Sequence, residues 1–141
     1  IELGGFPNKK DLMGLIKELD EKFQKMSSEL GKAKEYEFKV RLEEKLDLKL
    51  RNYSSRDGQI EIDLVGEKNG EMYIFEIKWR NKSVNIKDII GFVNKIKNSS
   101  FASKRKKLFV ISKSGFDKKA FETAKNYGIT CLDKNTNEIS K

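Results

Sequence analysis

Two acidic residues and a lysine lie in neighbouring apolar segments between Gln59 and Trp79. Asp63 follows Ile62 in the first segment, and Glu76 and Lys78 lie in the second, Tyr-Ile-Phe-Glu-Ile-Lys-Trp. Charge inside an apolar strand is costly unless it is paired or coordinated. Six acid-x-Lys tripeptides occur in the chain, and only this one lies in such a run. Two carboxylates and an ammonium on one rigid sheet indicate a site for a metal ion and a phosphate.

Alternation of residue types predicts that the two segments form a β-hairpin. Gly66 is predicted to end the first strand, and Asn69-Gly70 to form part of the turn, because both residues tolerate positive φ. On the first strand, one face is predicted to carry Ile60, Ile62 and Leu64, and the other face Glu61, Asp63 and Val65. On the second strand, one face is predicted to carry Tyr73, Phe75, Ile77 and Trp79, and the other face Ile74, Glu76 and Lys78. Pairing of the strands would place Asp63, Glu76 and Lys78 on one face.

Apolar periodicity and turn residues predict the elements around this hairpin. They are a helix from about Lys9 to Leu30, a helix from Lys32 to about Leu46, a strand over Asp47–Tyr53, a helix from about Ile86 to Lys97, a strand over Leu108–Ile111, a helix around Asp117–Tyr127 and a strand over Ile129–Leu132. Three consecutive strands followed by alternating helices and strands predict an α/β fold. Its mixed sheet would have helices on both faces.

The first helix has a heptad-like apolar stripe. Its members are Leu12, Ile16, Leu19, Phe23, Met26 and Leu30. The stripe fits an amphipathic helix that lies on its own domain, and it equally fits a coiled-coil seam that makes a homodimer. Since Gly31 interrupts the pattern, residues 1–31 are predicted to be an N-terminal helical extension and residues 32–141 the globular domain.

Composition limits the chemistry. The 141 residues contain no histidine and one cysteine, Cys131, which excludes Ser-His-Asp and Cys-His nucleophiles, histidine-ligated zinc and multi-cysteine metal sites. The net charge of +8 favours a polyanionic partner, nucleic acid first, although enrichment in lysine and glutamate also fits a heat-adapted source. No apolar run approaches the ~20 residues that span a bilayer, and we expect no secretion signal. We therefore expect no membrane association and a cytoplasmic location.

These residues and their order resemble the PD-(D/E)xK nuclease superfamily, which has the restriction-endonuclease-like fold. The resemblance covers roughly residues 32–112 and implies an α-β-β-β-α-β core, here with an extra helix and strand after it. Asp63 matches the acid of the second strand, and Glu76 and Lys78 match the acid and lysine of the third. Ile62 stands where the motif has its proline, a departure that is common in the superfamily.

The resemblance implies a DNA phosphodiesterase that uses Mg²⁺, with Mn²⁺ as a substitute. Asp63 and Glu76 would be metal ligands, with the main-chain carbonyl of Ile77 as a further one. Lys78 would orient the attacking water and stabilise the charge of the transition state. The superfamily often adds a glutamate from the first helix, for which Glu35 fits best and Glu37 is the second candidate.

Basic residues near this motif are the candidates for contacts with DNA phosphates. They are Arg80 and Lys82 after the second strand of the hairpin and, in a basic run, Lys104, Arg105 and Lys106, with Lys87, Lys95 and Lys97 extending the track. Two alternatives to a nuclease remain open. The acids and lysine could form a cross-strand ion pair on a solvated face, or the domain could be an inactive nuclease fold that binds DNA or a partner protein.

Overall fold

A computed structural model describes the backbone of residues 9–140 and the side chains of residues 12–19, 21–22 and 31–140. The described part of the chain contains three helices and five strands. They are α1 (Lys9–Leu46), β1 (Arg51–Ser54), β2 (Glu61–Lys68), β3 (Glu71–Lys78), α2 (Ile86–Lys97), β4 (Lys106–Ser112), α3 (Lys118–Asn126) and β5 (Ile129–Leu132). None of these helices is both long enough and apolar enough to cross a bilayer.

The five strands form one sheet in the order β1-β2-β3-β4-β5. β1, β2 and β3 are antiparallel neighbours, whereas β3, β4 and β5 run parallel. Parallel neighbours need a crossover connection, and α2 and α3 supply the two crossovers. The predicted α/β class and the restriction-endonuclease-like order of elements are therefore confirmed, with β3 in the centre of the sheet.

Two separate apolar clusters cover the two faces of the sheet. Phe92 of α2 and Phe121 of α3 belong to the cluster that contains Ile74 of β3. Phe38 of α1 belongs to the other cluster, which contains Phe75 of β3. Helices thus lie on both faces, as predicted, and consecutive residues of β3 alternate between the two clusters.

Helix α1 is continuous through Gly31. The predicted interruption at this residue, which separated a first helix from a second one, is wrong. A glycine inside a helix costs roughly 1 kcal/mol relative to alanine, which a helix of 38 residues tolerates. A Cβ atom at Gly31 would meet no atom within 4 Å, so no close contact requires glycine there.

By its internal contacts the chain divides into two compact units, Ile1–Lys34 and Glu35–Lys141. In the first unit, Leu12, Ile16 and Leu19 of the predicted heptad stripe are exposed. Dimerisation through this stripe stays a prediction. The other members of the stripe lie outside the described side chains: Phe23, Met26 and Leu30.

The connection from α1 to β1 crosses strand β2 at Gly66. A Cβ atom there would lie 2.4 Å from the Lys49 carbonyl oxygen, so only glycine allows this close approach. Gly66 is paired with Tyr73 inside the ladder, and β2 continues to Lys68. The prediction that Gly66 ends the strand is therefore wrong. β1 also begins later than predicted, at Arg51 and not at Asp47, and ends at Ser54; Asp47 follows the end of α1 with a positive φ of 52°.

Strand β2 does not alternate as predicted. Ile62 packs in the cluster under α2 and α3, Leu64 packs in the cluster under α1, and Val65 returns to the first cluster. Ile62 and Leu64 are therefore on opposite faces. The reason is that the pairing of β2 with β1 is irregular between Arg51 and Tyr53. β2 has one extra residue there, and such a residue changes the face to which every side chain beyond it points. Asp63 lies at this irregularity.

Candidate active site

Strand β3 carries Glu76 and Lys78 on the face that α2 covers. Both residues lie in a strand paired on each side, where Glu76 pairs with Val110 of β4 and Lys78 with Ser112. The side chain of Glu76 is only 6% exposed, whereas that of Lys78 is 27% exposed. The lysine is therefore the more accessible of the two groups.

Asp63 lies where β2 leaves its regular pairing with β3. The described ladder begins at Leu64 and Phe75, one residue after Asp63. Asp63 Oδ2 accepts a hydrogen bond of 2.7 Å from the amide of Ile77, so a side-chain carboxylate takes the place of a strand carbonyl. The charges of Glu76 and Lys78 both act on Asp63. The structure thus brings together the three residues of the sequence motif.

Burial makes the charge of Asp63 unfavourable. Desolvation raises the pKa of Asp63, and the negative charge of Glu76 raises it further. The hydrogen bond from Ile77 and the positive charges of Lys95 and Lys78 lower it, but the net effect is a raised pKa. An acid whose ionised form is disfavoured by burial and by the charge of a second acid is typical of a functional site.

Two lysines approach Glu76 from different elements. Lys95 Nζ of α2 lies 2.7 Å from Glu76 Oε1, and Lys78 Nζ lies 3.8 Å from Glu76 Oε2. The sequence indicated Lys95 only as one of several lysines along a phosphate track, so its place beside Glu76 was missed. A signal existed, because Lys95 lies about 60° from the core residue Phe92 on a helical wheel, at the border of the apolar arc.

Glu35 is connected to Asp63 through Asn52. The amide nitrogen Nδ2 of Asn52 donates to Glu35 Oε1 at 3.1 Å and to the main-chain oxygen of Asp63 at 2.7 Å. Glu37, the second candidate for the helix acid, instead contacts Arg41 at 3.3 Å. Of the two glutamates, Glu35 is therefore the one beside the motif. Asn52 was missed because it lies at the β1 irregularity, which alternation does not reveal.

Arg80 is engaged within the fold. Its guanidinium forms a two-pronged contact with the carboxylate of Asp88 and also donates to the main-chain oxygens of Lys82 and Ser83. Asp88 in turn completes the capping box of α2 with Asn85. The contacts of Arg80 therefore hold the loop between β3 and α2, and Lys82 in this loop is exposed.

The basic run lies at the other end of the sheet from Asp63 and Glu76. Lys106 pairs with Met72, whereas Glu76 is four residues further along β3, which corresponds to about 13 Å of strand. Lys106 Nζ donates to the main-chain oxygens of Ala102 and Lys104. Lys104 and Arg105 are exposed. The structure therefore does not group these three residues with the acids.

Cys131 is a buried free thiol in β5. Burial, together with the charge of Glu138, raises its pKa to about 11. A thiol with this pKa is almost entirely protonated at neutral pH and is a poor nucleophile. The chemistry of the described site therefore depends on carboxylates and lysines.

The family model of DUF4143, a domain of unknown function, matches residues 35–132, which is more than half of the chain. The chain belongs to the DUF4143 family. The matched segment begins at the helix acid Glu35 and contains every site residue described above. No curated protein matches the chain significantly.

Two solved structures are similar to the DUF4143 chain. One is the crystal structure of a protein of unknown function, AF1548, with a TM-score of 0.56 and 19% identity over 67% of this chain and 53% of that one. The other is a repair endonuclease from Pyrococcus abyssi, with a TM-score of 0.47 and 15% identity over 67% of this chain and 45% of that one. The chain therefore spans about half the length of the structures that it matches, and the first likeness supports the fold.

The side chains of this site fit a magnesium ion that is bound by only two carboxylates and is otherwise coordinated by water and phosphate. Within the described residues, no group of three or more acidic, histidine or cysteine side chains is close enough to hold a metal ion. Asp63 and Glu76 are two carboxylates from adjacent strands, and Mg²⁺ commonly uses one or two carboxylates, with waters and substrate phosphates completing its coordination. The predicted carbonyl of Ile77 belongs to the residue whose amide binds Asp63.

Proposed function

We propose that this protein is a Mg²⁺-dependent nuclease that hydrolyses DNA phosphodiester bonds with Asp63, Glu76 and Lys78. The observation that carries the proposal is the position of Asp63, whose carboxylate accepts from the amide of Ile77, the residue between Glu76 and Lys78, at the end of the β2–β3 ladder. A simple ion pair on a solvated face would not require a second acid next to the strand segment that carries a glutamate only 6% exposed.

Each residue has a role that its position permits. Asp63 and Glu76 would hold a divalent cation, Mg²⁺ or Mn²⁺, which when bound supplies positive charge to the phosphate and lowers the pKa of a water. Lys78, partly exposed beside Glu76, would donate to a non-bridging phosphate oxygen and stabilise the charge that develops there. Attack by water breaks one bridging P–O bond and yields a phosphate monoester and a hydroxyl group.

Glu35 and Asn52 would position Asp63. Asn52 binds the Asp63 main chain and the Glu35 carboxylate together, so it fixes the acid of the second strand relative to α1. Apart from Arg80, which is engaged within the fold, Lys82 is the predicted phosphate-binding residue nearest to this site along the chain, whereas Lys104 and Arg105 would reach the DNA backbone several nucleotides away. Arg80 would act indirectly, by holding the loop that carries Lys82.

The test is cleavage of labelled duplex, single-stranded and four-way-junction DNA with Mg²⁺ or Mn²⁺. We expect metal-dependent cutting by the wild type and a loss of about 10²–10³-fold in Lys78→Ala, the range for removal of one charge-stabilising donor. Lys119→Ala is the matched control, because Lys119 also ends an acid-x-Lys tripeptide but is exposed on α3. Thermal unfolding of both variants checks that they are folded.

A non-catalytic module of the same fold is the second candidate, and one observation favours it. Both oxygens of Glu76 already face lysines, Lys95 and Lys78, so the carboxylate is partly neutralised without a metal. The two functions predict different results. Cutting that survives Lys78→Ala would contradict the assignment of cleavage to this site. DNA binding that is indifferent to Mg²⁺ and to Glu76→Gln, without any cutting, would contradict the nuclease and support the module.

A further inference from the structure

Lys95 reaches the site from α2 and not from the sheet. Its side chain is 30% exposed and donates a 2.7 Å hydrogen bond to Glu76. Helix α2 is attached to the sheet by apolar side chains on its inner face and begins with a complete capping box. The docking of this helix therefore does not depend on Lys95, and the contact with Glu76 calls for another explanation.

The ammonium of Lys95 acts on both carboxylates. It binds Glu76 directly at 2.7 Å, and its positive charge also acts on Asp63. A divalent cation shared by Asp63 and Glu76 needs the same carboxylate oxygens, and it would repel an ammonium at that distance. Lys95 and the cation therefore cannot both stay in contact with Glu76 at low cost.

We propose that Lys95 is a fourth residue of the site, whose ammonium holds Glu76 until a divalent cation displaces it and which then binds the substrate phosphate. This inference rests on the proposed nuclease function and adds an order of events to it. The geometry of the pair permits the exchange, since a partly exposed lysine side chain can swing away while Glu76 stays fixed in the central strand.

The balance of charges explains why the displacement of Lys95 by a divalent cation would depend on bound DNA. Asp63 and Glu76 carry two negative charges, and Lys78 and Lys95 carry two positive ones, so the group is balanced without a metal. A divalent cation adds two positive charges, which the phosphates of DNA can offset. Metal binding and DNA binding should therefore strengthen each other by the same factor.

The experiment measures Mn²⁺ affinity by calorimetry in the absence of DNA, for the wild type, Lys95→Met and Lys97→Met. Lys97 is the matched control, an exposed lysine on the same helix. We expect Lys95→Met to bind Mn²⁺ about tenfold more tightly than the wild type, or better, since a hydrogen bond to a charged group no longer has to be broken. Lys97→Met should bind like the wild type. Lys95→Gln, which keeps a donor but no charge, covers the case in which Lys95→Met does not fold.

The outcomes separate this inference from the proposed function. Equal or weaker Mn²⁺ affinity in Lys95→Met and Lys95→Gln, in a protein whose wild type cuts DNA with metal, would overturn the role of Lys95 and leave the nuclease intact. Absence of Mn²⁺ binding in the wild type and in every variant would overturn both. Tighter binding in Lys95→Met and Lys95→Gln, but not in Lys97→Met, would support the exchange.

Discussion

Asp63 and Asp88 both lie near the charge of Lys78, yet folding shifts the pKa values of the two carboxyl groups in opposite directions. Burial acts to raise the pKa of Asp88, but the hydrogen bonds from Arg80 and the Asn85 amide outweigh it, and the pKa is lowered. Burial also raises the pKa of Asp63, and there the Ile77 hydrogen bond and two lysine charges do not outweigh it. Folding thus favours the charge of Asp88 and disfavours that of Asp63.

The difference separates a carboxylate whose ionised form the fold uses from one whose charge the fold disfavours. Asp88 caps α2 and anchors Arg80, so its ionised form is used by the fold itself. Asp63 has a single main-chain donor and a neighbouring acid of the same charge. A buried acid whose charge weakens the fold is a candidate for binding a ligand of opposite charge. Arg80, which binds Asp88, belongs with that residue to the scaffold of the fold.

The largest effect on stability is expected from Asp88→Ala. This variant removes the capping contact to Asn85 and leaves the partly buried Arg80 without its carboxylate, which should lower the free energy of unfolding by about 1–3 kcal/mol. Urea unfolding at pH 7 measures it, and Lys87→Ala, an exposed neighbour on α2, should stay close to the wild type. If Asp88→Ala is as stable as the wild type, Asp88 has no structural role.

Asp63→Asn should change stability in the other direction. An asparagine oxygen can still accept from the Ile77 amide, while the buried charge is removed, so we expect a gain of about 0.5–2 kcal/mol at pH 7. The same urea titration measures it. The DNA cleavage that we propose should be lost in the same variant. A loss of stability in Asp63→Asn would mean that the ionised carboxylate serves the fold and that the contrast with Asp88 is wrong.

The smallest effect expected is the difference in pH dependence between these two variants. Asp63 has a raised folded-state pKa, so its cost to stability is absent below pH 3.8, its ordinary value, and appears as pH rises through the folded pKa. Asp88 has a lowered folded-state pKa, so its stabilisation is present above pH 3.8 and disappears as pH falls through the folded pKa.

Unfolding free energies from pH 3 to pH 8 test this contrast. The advantage of Asp63→Asn over the wild type should grow as pH rises from acid, and the deficit of Asp88→Ala should shrink only at the acid end. Parallel curves for the wild type and Asp63→Asn over the whole range would show that Asp63 titrates normally. The comparison of the two aspartates would then lose its basis.

Local pattern predicted most of the fold because strands and helices of this chain differ clearly in periodicity. The bounds of α2 and β5 agree with the predicted ones, since apolar residues at helical spacing and a short apolar strand are bounded by polar turns. The break at Gly31 was wrong because the penalty of one glycine is small beside the cooperativity of a long helix. The faces of β2 were wrong because strict alternation cannot anticipate an irregularity that depends on the neighbouring strand.

The sequence by itself determined which acids and which lysine belong to the motif, because charge inside apolar strands is costly and therefore informative. Only the tertiary structure decided that the Asp63 carboxylate binds the Ile77 amide at the end of the β2–β3 ladder, that Asn52 joins Asp63 to Glu35, and that Lys95 binds Glu76 from α2. It also placed the basic run at the far end of the sheet. These relations join residues that are distant in sequence, and strand register and helix docking, which set them, leave no periodic signal in the chain.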